Sequence, residues 1–180
     1  MRLLNNLGAH NLLIVKIMSE YLVFLIITLA MIWLTYRTYL KNKNSFNFRF
    51  FLKELFHIGV NVFVIPVGLA TAVSEIISNV FIRQRPFVTM NEIKLLVPHG
   101  ADGGMPSHHM VFMVSVATMV YFFSKKMGLV LILLSIFSGI ARISAGIHYP
   151  SDVLTGATIA VVLAVAYLKI SRRAERILLS

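Results

Sequence analysis

Long apolar runs separated by short polar stretches are the main pattern of this sequence. Each of five runs can form a membrane-crossing helix, for which about 20 mainly apolar residues are needed. The third run is short, and we expect its helix to begin earlier, with Pro106 or Ser107 in the first turn, where proline is tolerated. The runs cover residues 21–36, 58–82, 110–123, 127–147 and 153–170. They predict an all-α, polytopic membrane helical bundle with about five to six transmembrane helices.

The N-terminal residues before Lys16 fit two interpretations, an interfacial helix or an extension of the first span, and both stay open. No small-residue cleavage site follows the first apolar stretch, so we expect no removed signal peptide. No repeat, low-complexity segment or linker interrupts the chain. Residues 1–180 are therefore predicted to form a single integral membrane domain.

The composition supports a membrane protein. Hydrophobic residues make up 58% of the chain and charged residues only 13%, and the mean hydropathy is +0.81, which is too apolar for an ordinary soluble domain. The net charge of +10 does not indicate a nucleic-acid partner, because the basic residues form short clusters between apolar runs rather than one basic face. The absence of cysteine excludes disulfides and Cys-ligated metals.

Lysine and arginine residues in the connections predict the orientation, because they are enriched in cytoplasmic loops. If five helices alternate in direction, all the basic clusters fall on one side, which should be cytoplasmic. The loop 83–107 and the turn 146–152 then lie on the outer side. The clusters are Arg37, Lys41, Lys43, Arg49 and Lys53; Lys125 and Lys126; and Lys169, Arg172, Arg173 and Arg176.

Three stretches on the predicted outer side carry the candidate chemistry: RQRPF at 83–87, PSHH at 106–109 and ARISAGIHYPSD at 141–152. Arg142 lies at the end of an apolar run, where an unpaired guanidinium is costly, so its expected partner is an anion. Arg85 can join it, since guanidinium groups bind phosphate in bidentate fashion. Pro106 and Pro150 stand where helices should begin, and helix N-termini attract phosphate.

His148 and Asp152 are four residues apart, close enough for the carboxylate to accept a hydrogen bond from one imidazole nitrogen. The other nitrogen is then free to attack phosphorus and form a phosphohistidine. A second histidine would protonate the leaving oxygen and activate water, and Ser107 would donate to the phosphoryl oxygens. This scheme requires no metal and no cofactor. Asp152 can equally be a helix cap, and that interpretation stays open.

These residues resemble the signature of the type 2 phosphatidic acid phosphatase superfamily of membrane lipid phosphatases. That signature has a lysine followed by Arg-Pro, then Pro-Ser-x-His, then Ser-Arg with a histidine and an aspartate at fixed spacing. The stretch RPFVTMNEIKLLVPHGADGGMPSHH is similar to the bacterial undecaprenyl-diphosphate phosphatases of the bacitracin-resistance type. The motifs cover roughly residues 75–156. The matching residues here are Arg85, Pro86, Pro106, Ser107, His109, Arg142, His148 and Asp152.

The resemblance implies a role for each matching residue. His148 would be the nucleophile, Asp152 its orienting partner and His109 the general acid. Arg85, Arg142 and Ser107 would hold the phosphate.

Two positions depart from the signature. The expected lysine, seven residues before Arg85, is Ser78, and Arg83 or Lys94 is a candidate to replace its charge on the phosphate. Ala141 replaces the serine before Arg142, which we expect to be minor.

Other polar residues near the motifs have less defined roles. Glu75 lies inside the second apolar run and is costly there unless paired, so we expect an ion pair with Arg142 or Arg83. His108 is interpreted as an interfacial or cavity-lining residue that could raise the local positive potential. His99 and Asp102 fit a substrate contact or a loop-stabilising role equally well. His10 and His57 are interpreted as interfacial.

We therefore expect a lipid phosphatase that hydrolyses undecaprenyl diphosphate to undecaprenyl phosphate and phosphate at the outer face of a bacterial cytoplasmic membrane. The resemblance implies this substrate, a place in cell-wall synthesis and bacitracin resistance. The expected partners are a polyprenyl diphosphate or other phospholipid substrate and membrane lipid, without nucleic acid. Two alternatives remain: a phosphatidylglycerophosphate or phosphatidic acid phosphatase, and a non-catalytic membrane protein that binds or transports lipid.

Overall fold

The computed structural model describes residues 1–43 and 47–171, and this part of the chain is all-α. Two π-helical turns, Ile17–Tyr21 and Val60–Val64, each join two α-helices into one longer helix. The α-helices are α1 (Arg2–His10), α2 (Leu12–Lys16), α3 (Leu22–Asn42), α4 (Phe48–Gly59), α5 (Ile65–Val80), α6 (Pro86–Thr89), α7 (His108–Phe123), α8 (Lys125–Ser144) and α9 (Pro150–Ile170).

Four helical stretches are long and apolar enough to cross a membrane: Leu12–Lys41, Phe48–Val80, Lys125–Ser144 and Pro150–Ile170. The helix α7 is apolar but shorter, with 16 residues. The predicted all-α membrane bundle is confirmed, and the chain is a multi-pass membrane protein.

The helix α7 forms the centre of the bundle. It is apolar on all sides, as expected for a helix with no face toward solvent, and most of its residues between Met110 and Val120 are buried. It packs against α3, α5, α8 and α9. Protein surrounds α7, so 16 residues suffice where a lipid-facing helix needs more.

The helices α7 and α8 form a tight hairpin. Ser124 alone separates them, and its hydroxyl accepts a hydrogen bond from the backbone N–H of Met127 at 3.4 Å, which caps α8. Gly128 then passes the backbone of α7, where an added Cβ would lie only 2.2 Å from the Cα of Tyr121. No side chain fits at this contact without separating the two helices.

The successive long helices alternate in direction, and this places the predicted site at one end of the bundle. There α5 and α8 end, and α7 and α9 begin. The basic residues that the structure describes lie at the other end: Arg37, Lys41, Lys43, Arg49 and Lys53, then Lys125 and Lys126, and finally Lys169. Arg172, Arg173 and Arg176 lie outside the described residues.

Helix boundaries differ from the hydropathy prediction where polar residues continue a helix. The second span begins at Phe48 rather than near residue 58. The charged residue in this added part, Glu54, forms an ion pair with Lys41 of α3 at 3.1 Å, so the helix can include it. The helix α7 begins before residue 110, as expected, and of the two residues expected in its first turn Ser107 is the N-cap, whereas Pro106 lies before the helix. Pro150 does open α9.

The N-terminal residues combine the two interpretations that the sequence left open. The helix α1 is separate, whereas residues from Leu12 onward continue into the first span. The buried side chain of Asn5 fixes α1 to the end of α8. Its amide donates at 2.8 Å to the carbonyls of Lys94 and Ser144, and its oxygen accepts from the Lys94 N–H at 3.0 Å.

Replacing Gly128 by alanine is expected to lower the thermal unfolding midpoint of the purified chain in detergent. Overpacking of this kind costs about 1–3 kcal/mol, which corresponds to roughly 2–10 °C for a chain of this size. Gly68→Ala is the matched control, because nothing lies within 4 Å of its added Cβ and alanine favours helix more than glycine does. Equal midpoints for both variants would contradict the tight α7–α8 contact.

Candidate active site

A cavity of about 640 Å³ opens at the end of the bundle where α7 and α9 begin. Each of the three predicted stretches contributes to its wall: Arg85 from the first, His109 from the second, and Arg142 with His148 from the third. The fold therefore brings together side chains that lie up to 63 residues apart in the sequence. The remaining lining residues are Glu75, Ser78, Asn79, Ile82, His99, Asp102, Gly103, Pro106 and His108.

His148 is the buried residue at the centre of this site, and its two ring nitrogens face different groups. Nδ1 lies 2.8 Å from the carbonyl oxygen of Gly104. A carbonyl can only accept, so Nδ1 carries the hydrogen and donates it. Nε2 lies 3.3 Å from Nη2 of Arg142 and 3.5 Å from Nη1 of Arg85. Guanidinium groups only donate, so Nε2 presents its lone pair to them and to the cavity.

Arg142 is held at the end of α8 by neutral groups. Its Nη1 donates to the carbonyl of Ser19 at 3.1 Å, and Ser19 lies in the π-helical turn Ile17–Tyr21. Its buried Nε has no hydrogen-bond partner among the described residues. A buried guanidinium with an unused donor and neutral partners favours an anionic ligand.

Arg85 is also buried, and three groups hold its guanidinium in the cavity wall. Nε donates to Oδ1 of Asp102 at 3.0 Å, Nη1 to the carbonyl of Ile147 at 3.1 Å, and Nη2 to the carbonyl of Gly103 at 3.1 Å. These contacts fix the direction of the fork, so the arginine is preorganised for a phosphate beside His148.

The pKa of His148 is lowered from 6.5 to about 4, mainly by burial and also by the positive charges of Arg142 and Arg85, against the opposite influence of Asp152. The imidazole is therefore neutral at neutral pH. A neutral ring with a free Nε2 lone pair has the protonation state that a nucleophile needs.

Asp152 lies at ion-pair distance from His148 but does not make the hydrogen bond that the sequence predicted. Its Oδ2 lies 3.7 Å from Nδ1, beyond hydrogen-bond distance, and Gly104 accepts the Nδ1 hydrogen instead. Oδ2 accepts a hydrogen bond from the Tyr149 N–H at 2.8 Å. The capping interpretation of Asp152 is thus confirmed, and its fully buried carboxylate acts on His148 as a nearby charge.

Arg83 lies beside Asp152 rather than in the cavity wall where a phosphate ligand was predicted. Its Nη1 donates to Ser151 Oγ at 2.7 Å and to Asp152 Oδ1 at 3.0 Å, and its guanidinium stacks on the Tyr149 ring at 3.9 Å. The buried carboxylate of Asp152 recruits this arginine because an unpaired buried charge is costly. Arg83 thereby stabilises the start of α9.

His109 and Ser107 occupy the start of α7. His109 lines the cavity, as its predicted role requires. Ser107 is fully buried, its N–H donates to the carbonyl of Asp152 at 3.1 Å, and its Oγ has no hydrogen-bond partner among the described residues. Gly156 allows this approach, because an added Cβ would lie 2.7 Å from the Ser107 carbonyl oxygen.

Backbone contacts fix the loop that carries His148. Gly146 has a φ of +80°, a conformation that favours glycine. Its carbonyl accepts from the Phe87 N–H at 3.2 Å, and the Ala145 carbonyl accepts from the Leu96 N–H at 3.1 Å. The loop 83–107 thus holds the loop after α8 and with it the imidazole.

Glu75 does not pair with Arg142 or Arg83, as the sequence suggested. Its side chain is 62% exposed in the cavity, and its Oε2 lies 3.7 Å from Nε2 of His108. The prediction was wrong because the two arginines have other partners: Arg142 donates to the Ser19 carbonyl and Arg83 to the Asp152 carboxylate. The pairing joins α5 to α7, and no short sequence motif could have indicated it.

The other candidate positions are divided between the cavity and the loop. His99 lines the cavity with its ring 6.5 Å from that of His148, and burial followed by the charges of Arg85 and Arg142 lowers its pKa. Ser78 also lines the cavity. Lys94, a candidate to replace the missing lysine, has its backbone bound to Asn5 and is not a cavity-lining residue.

Comparisons with known proteins identify a family and relatives for this chain. The family model described as the PAP2 superfamily matches residues 59–176. The bacitracin transport permease protein BcrC of Bacillus licheniformis is 30% identical over 167 residues, which are 91% of this chain and 74% of that protein. The undecaprenyl-diphosphatase BcrC of Bacillus subtilis (strain 168) is 30% identical over 99 residues, 55% of this chain and 51% of that protein.

Among solved structures, the chain is similar to the crystal structure of Aquifex aeolicus LpxE. The TM-score is 0.65 with 25% sequence identity, over 93% of this chain and 92% of that one. The similarity therefore covers most of both chains.

His148 is expected to stay neutral well below the ordinary histidine range. In NMR of histidine-labelled protein in detergent, its signal, assigned by its loss in His148→Ala, should not titrate between pH 8 and 5.5, since its pKa is lowered to about 4. A midpoint above pH 6 for His148 would refute the burial and charge argument.

Proposed function

Because this chain belongs to the PAP2 superfamily, we propose that it is a membrane lipid phosphatase that hydrolyses undecaprenyl diphosphate to undecaprenyl phosphate and inorganic phosphate. The observation that carries the proposal is the His148 ring, with its Nε2 lone pair 3.3 Å from Arg142 and 3.5 Å from Arg85. The name of the Bacillus subtilis relative, undecaprenyl-diphosphatase, supports this substrate.

In the first step, Nε2 of His148 attacks the terminal phosphorus of the diphosphate. A nitrogen–phosphorus bond forms, the bond from phosphorus to the bridging oxygen breaks, and the electron pair leaves on that oxygen as part of undecaprenyl phosphate. Arg85 and Arg142 stabilise the charge on the transferring phosphoryl oxygens. The Gly104 carbonyl keeps accepting the Nδ1 hydrogen and so stabilises the ring when it becomes positively charged.

In the second step, water hydrolyses the phosphohistidine. His109 takes a proton from the attacking water, the nitrogen–phosphorus bond breaks, and its electron pair returns to Nε2. In the first step the same residue, when protonated, gives a proton to the leaving oxygen. One histidine can serve both steps because an imidazole that has given its proton to the leaving oxygen is left as the base that accepts one from water.

The orientation of the site follows from the positive-inside rule. The described basic clusters lie at the end of the bundle opposite the cavity, and such clusters favour the cytoplasm. We therefore place the cavity at the outer face of a bacterial cytoplasmic membrane. A headgroup can enter the cavity there while its lipid tail stays in the bilayer. This position suits recycling of a carrier lipid for cell-wall synthesis and protection from bacitracin.

Two other functions remain candidates. A phosphatidylglycerophosphate or phosphatidic acid phosphatase would use the same nucleophile and arginines, because the chemistry at phosphorus does not depend on the lipid. A transport or lipid-binding function is favoured by one observation, the name of the Bacillus licheniformis relative, a transport permease protein. That function would not need the nucleophile.

His148→Ala is expected to lower phosphate release from undecaprenyl diphosphate by at least about a thousandfold, as removal of a nucleophile does. The assay uses purified full-length protein in detergent and a panel with phosphatidylglycerophosphate and phosphatidic acid. EDTA should leave the rate unchanged, and the control His10→Ala should retain full activity because His10 is exposed outside the cavity. Inhibition by EDTA together with an active His148→Ala variant would refute this mechanism.

His109→Gln is expected to separate the two steps. Undecaprenyl phosphate is a good leaving group without protonation, so the first step should continue, whereas loss of the base slows hydrolysis by about 10²–10⁴-fold. Alkaline quenching after reaction with terminally ³²P-labelled substrate should then find phosphoprotein approaching one phosphate per chain. The label should be absent in the His148→Ala, His109→Gln double variant. If the His109→Gln variant turns over slowly but no phosphoprotein accumulates, His109 is not the base of the second step.

A further inference from the structure

One wall of the cavity contains polar groups that the proposed mechanism does not use. Glu75, Ser78 and Asn79 lie on one face of α5, at the helical spacing i, i+3 and i+4, and His108 faces them from the start of α7. The arginines and His148 form the other part of the lining. The cavity volume of about 640 Å³ is in the range that holds whole small molecules, roughly 300–1000 Å³, and exceeds the needs of a single phosphoryl group.

His108 is the side chain on this wall that can bring positive charge to an anion. It is 46% exposed, and its Nε2 lies 3.7 Å from the carboxylate of Glu75. Arg83 is bound to Asp152, and Lys94 is not a cavity-lining residue. Ser78 has a short side chain whose hydroxyl donates to the Glu75 carbonyl at 2.9 Å, so it leaves room on this wall.

The reacting atoms define what lies next to His108. If the terminal phosphorus sits on Nε2 of His148 and the bridging oxygen lies near His109, the second phosphate occupies the remaining space of the same cavity. His108 and the polar residues of α5 line that space. A diphosphate bound by the two arginines therefore has the wall formed by His108 and α5 available to its second phosphate.

We propose that His108 binds the inner phosphate of a lipid diphosphate, the one joined to the lipid, and that Glu75 positions it. The protonated imidazole donates from both nitrogens, so Nε2 can face Glu75 while Nδ1 donates to the phosphate. The imidazolium separates the carboxylate from the substrate anion. This inference rests on the proposed diphosphatase function and makes His108 a residue that selects diphosphates over monophosphates.

The experiment compares two inhibitors of the undecaprenyl diphosphatase reaction, methylenediphosphonate and orthophosphate, with loss of labelled lipid substrate as the readout. Loss of a hydrogen bond to a charged group corresponds to roughly a 10- to 100-fold change. We expect His108→Ala to raise the inhibition constant of the diphosphonate by that factor and to leave that of orthophosphate within about twofold. His10→Ala is the matched histidine control and should change neither constant.

Glu75→Gln tests the positioning role separately. It should raise the inhibition constant of the diphosphonate by a smaller factor than His108→Ala does. The inhibition constant of the double variant should not exceed that of His108→Ala alone. If Glu75 only supported the fold, its replacement would weaken the binding of both inhibitors equally. If His108→Ala unfolds, which its thermal midpoint reports, His108→Gln replaces it with the same expectation.

The two proposals fail in different ways. A wild-type chain that releases no phosphate from any diphosphate refutes the proposed function, and the subsite is refuted with it. The subsite alone is refuted if the wild-type chain hydrolyses the diphosphate but the His108 variants change the inhibition constants of both inhibitors equally, or change neither.

Discussion

The buried guanidinium of Arg142 is the constraint on which the site depends. An arginine at the end of a membrane helix must find partners for its donors or leave the bundle. Here the π-helical turn before α3 supplies the Ser19 carbonyl, and His148 supplies a neutral ring nitrogen. Neither partner is negatively charged, so the charge stays available to an anionic ligand. The same positive charge helps to keep His148 neutral, and one buried cation thereby prepares both the phosphate site and the nucleophile.

Backbone groups complete this arrangement more than side chains do. The Gly104 carbonyl, rather than a carboxylate, determines which nitrogen of His148 carries the hydrogen. The carbonyls of Gly103 and Ile147 orient Arg85. Because backbone carbonyls do not ionise, their part of this orientation does not change with pH, and Asp102 adds an ionisable contact to Arg85. The carboxylate of Asp152 caps the first turn of α9, and the loop with His148 leads directly into this turn.

The sequence predicted the bundle and the members of the site, but not most of their contacts. Apolar length indicated the spans, and motif spacing brought Arg85, His109, Arg142 and His148 to one cavity. The contacts that escaped prediction join distant segments: His148 to Gly104 over 44 residues and Arg83 to Asp152 over 69. Local spacing suggested the four-residue pair of His148 and Asp152. In the folded chain the Gly104 carbonyl accepts the His148 hydrogen, and Arg83 pairs with the Asp152 carboxylate. Both competing partners are distant in the sequence, so local spacing does not show them.

The π-helical turn Ile17–Tyr21 also divides the first membrane helix into two parts with different neighbours. Before the turn, Val15 packs with Val97 and Ile147 beside the cavity, whereas Ile26 after it packs against α7 in the bundle core. An α-helix advances 100° per residue, so one extra residue in the turn shifts the phase of everything upstream by about that angle. A single inserted or deleted residue there, neutral in a surface loop, would turn the N-terminal helix away from the loop it anchors. Length in this turn is therefore as strictly specified as the identity of the residues in the cavity.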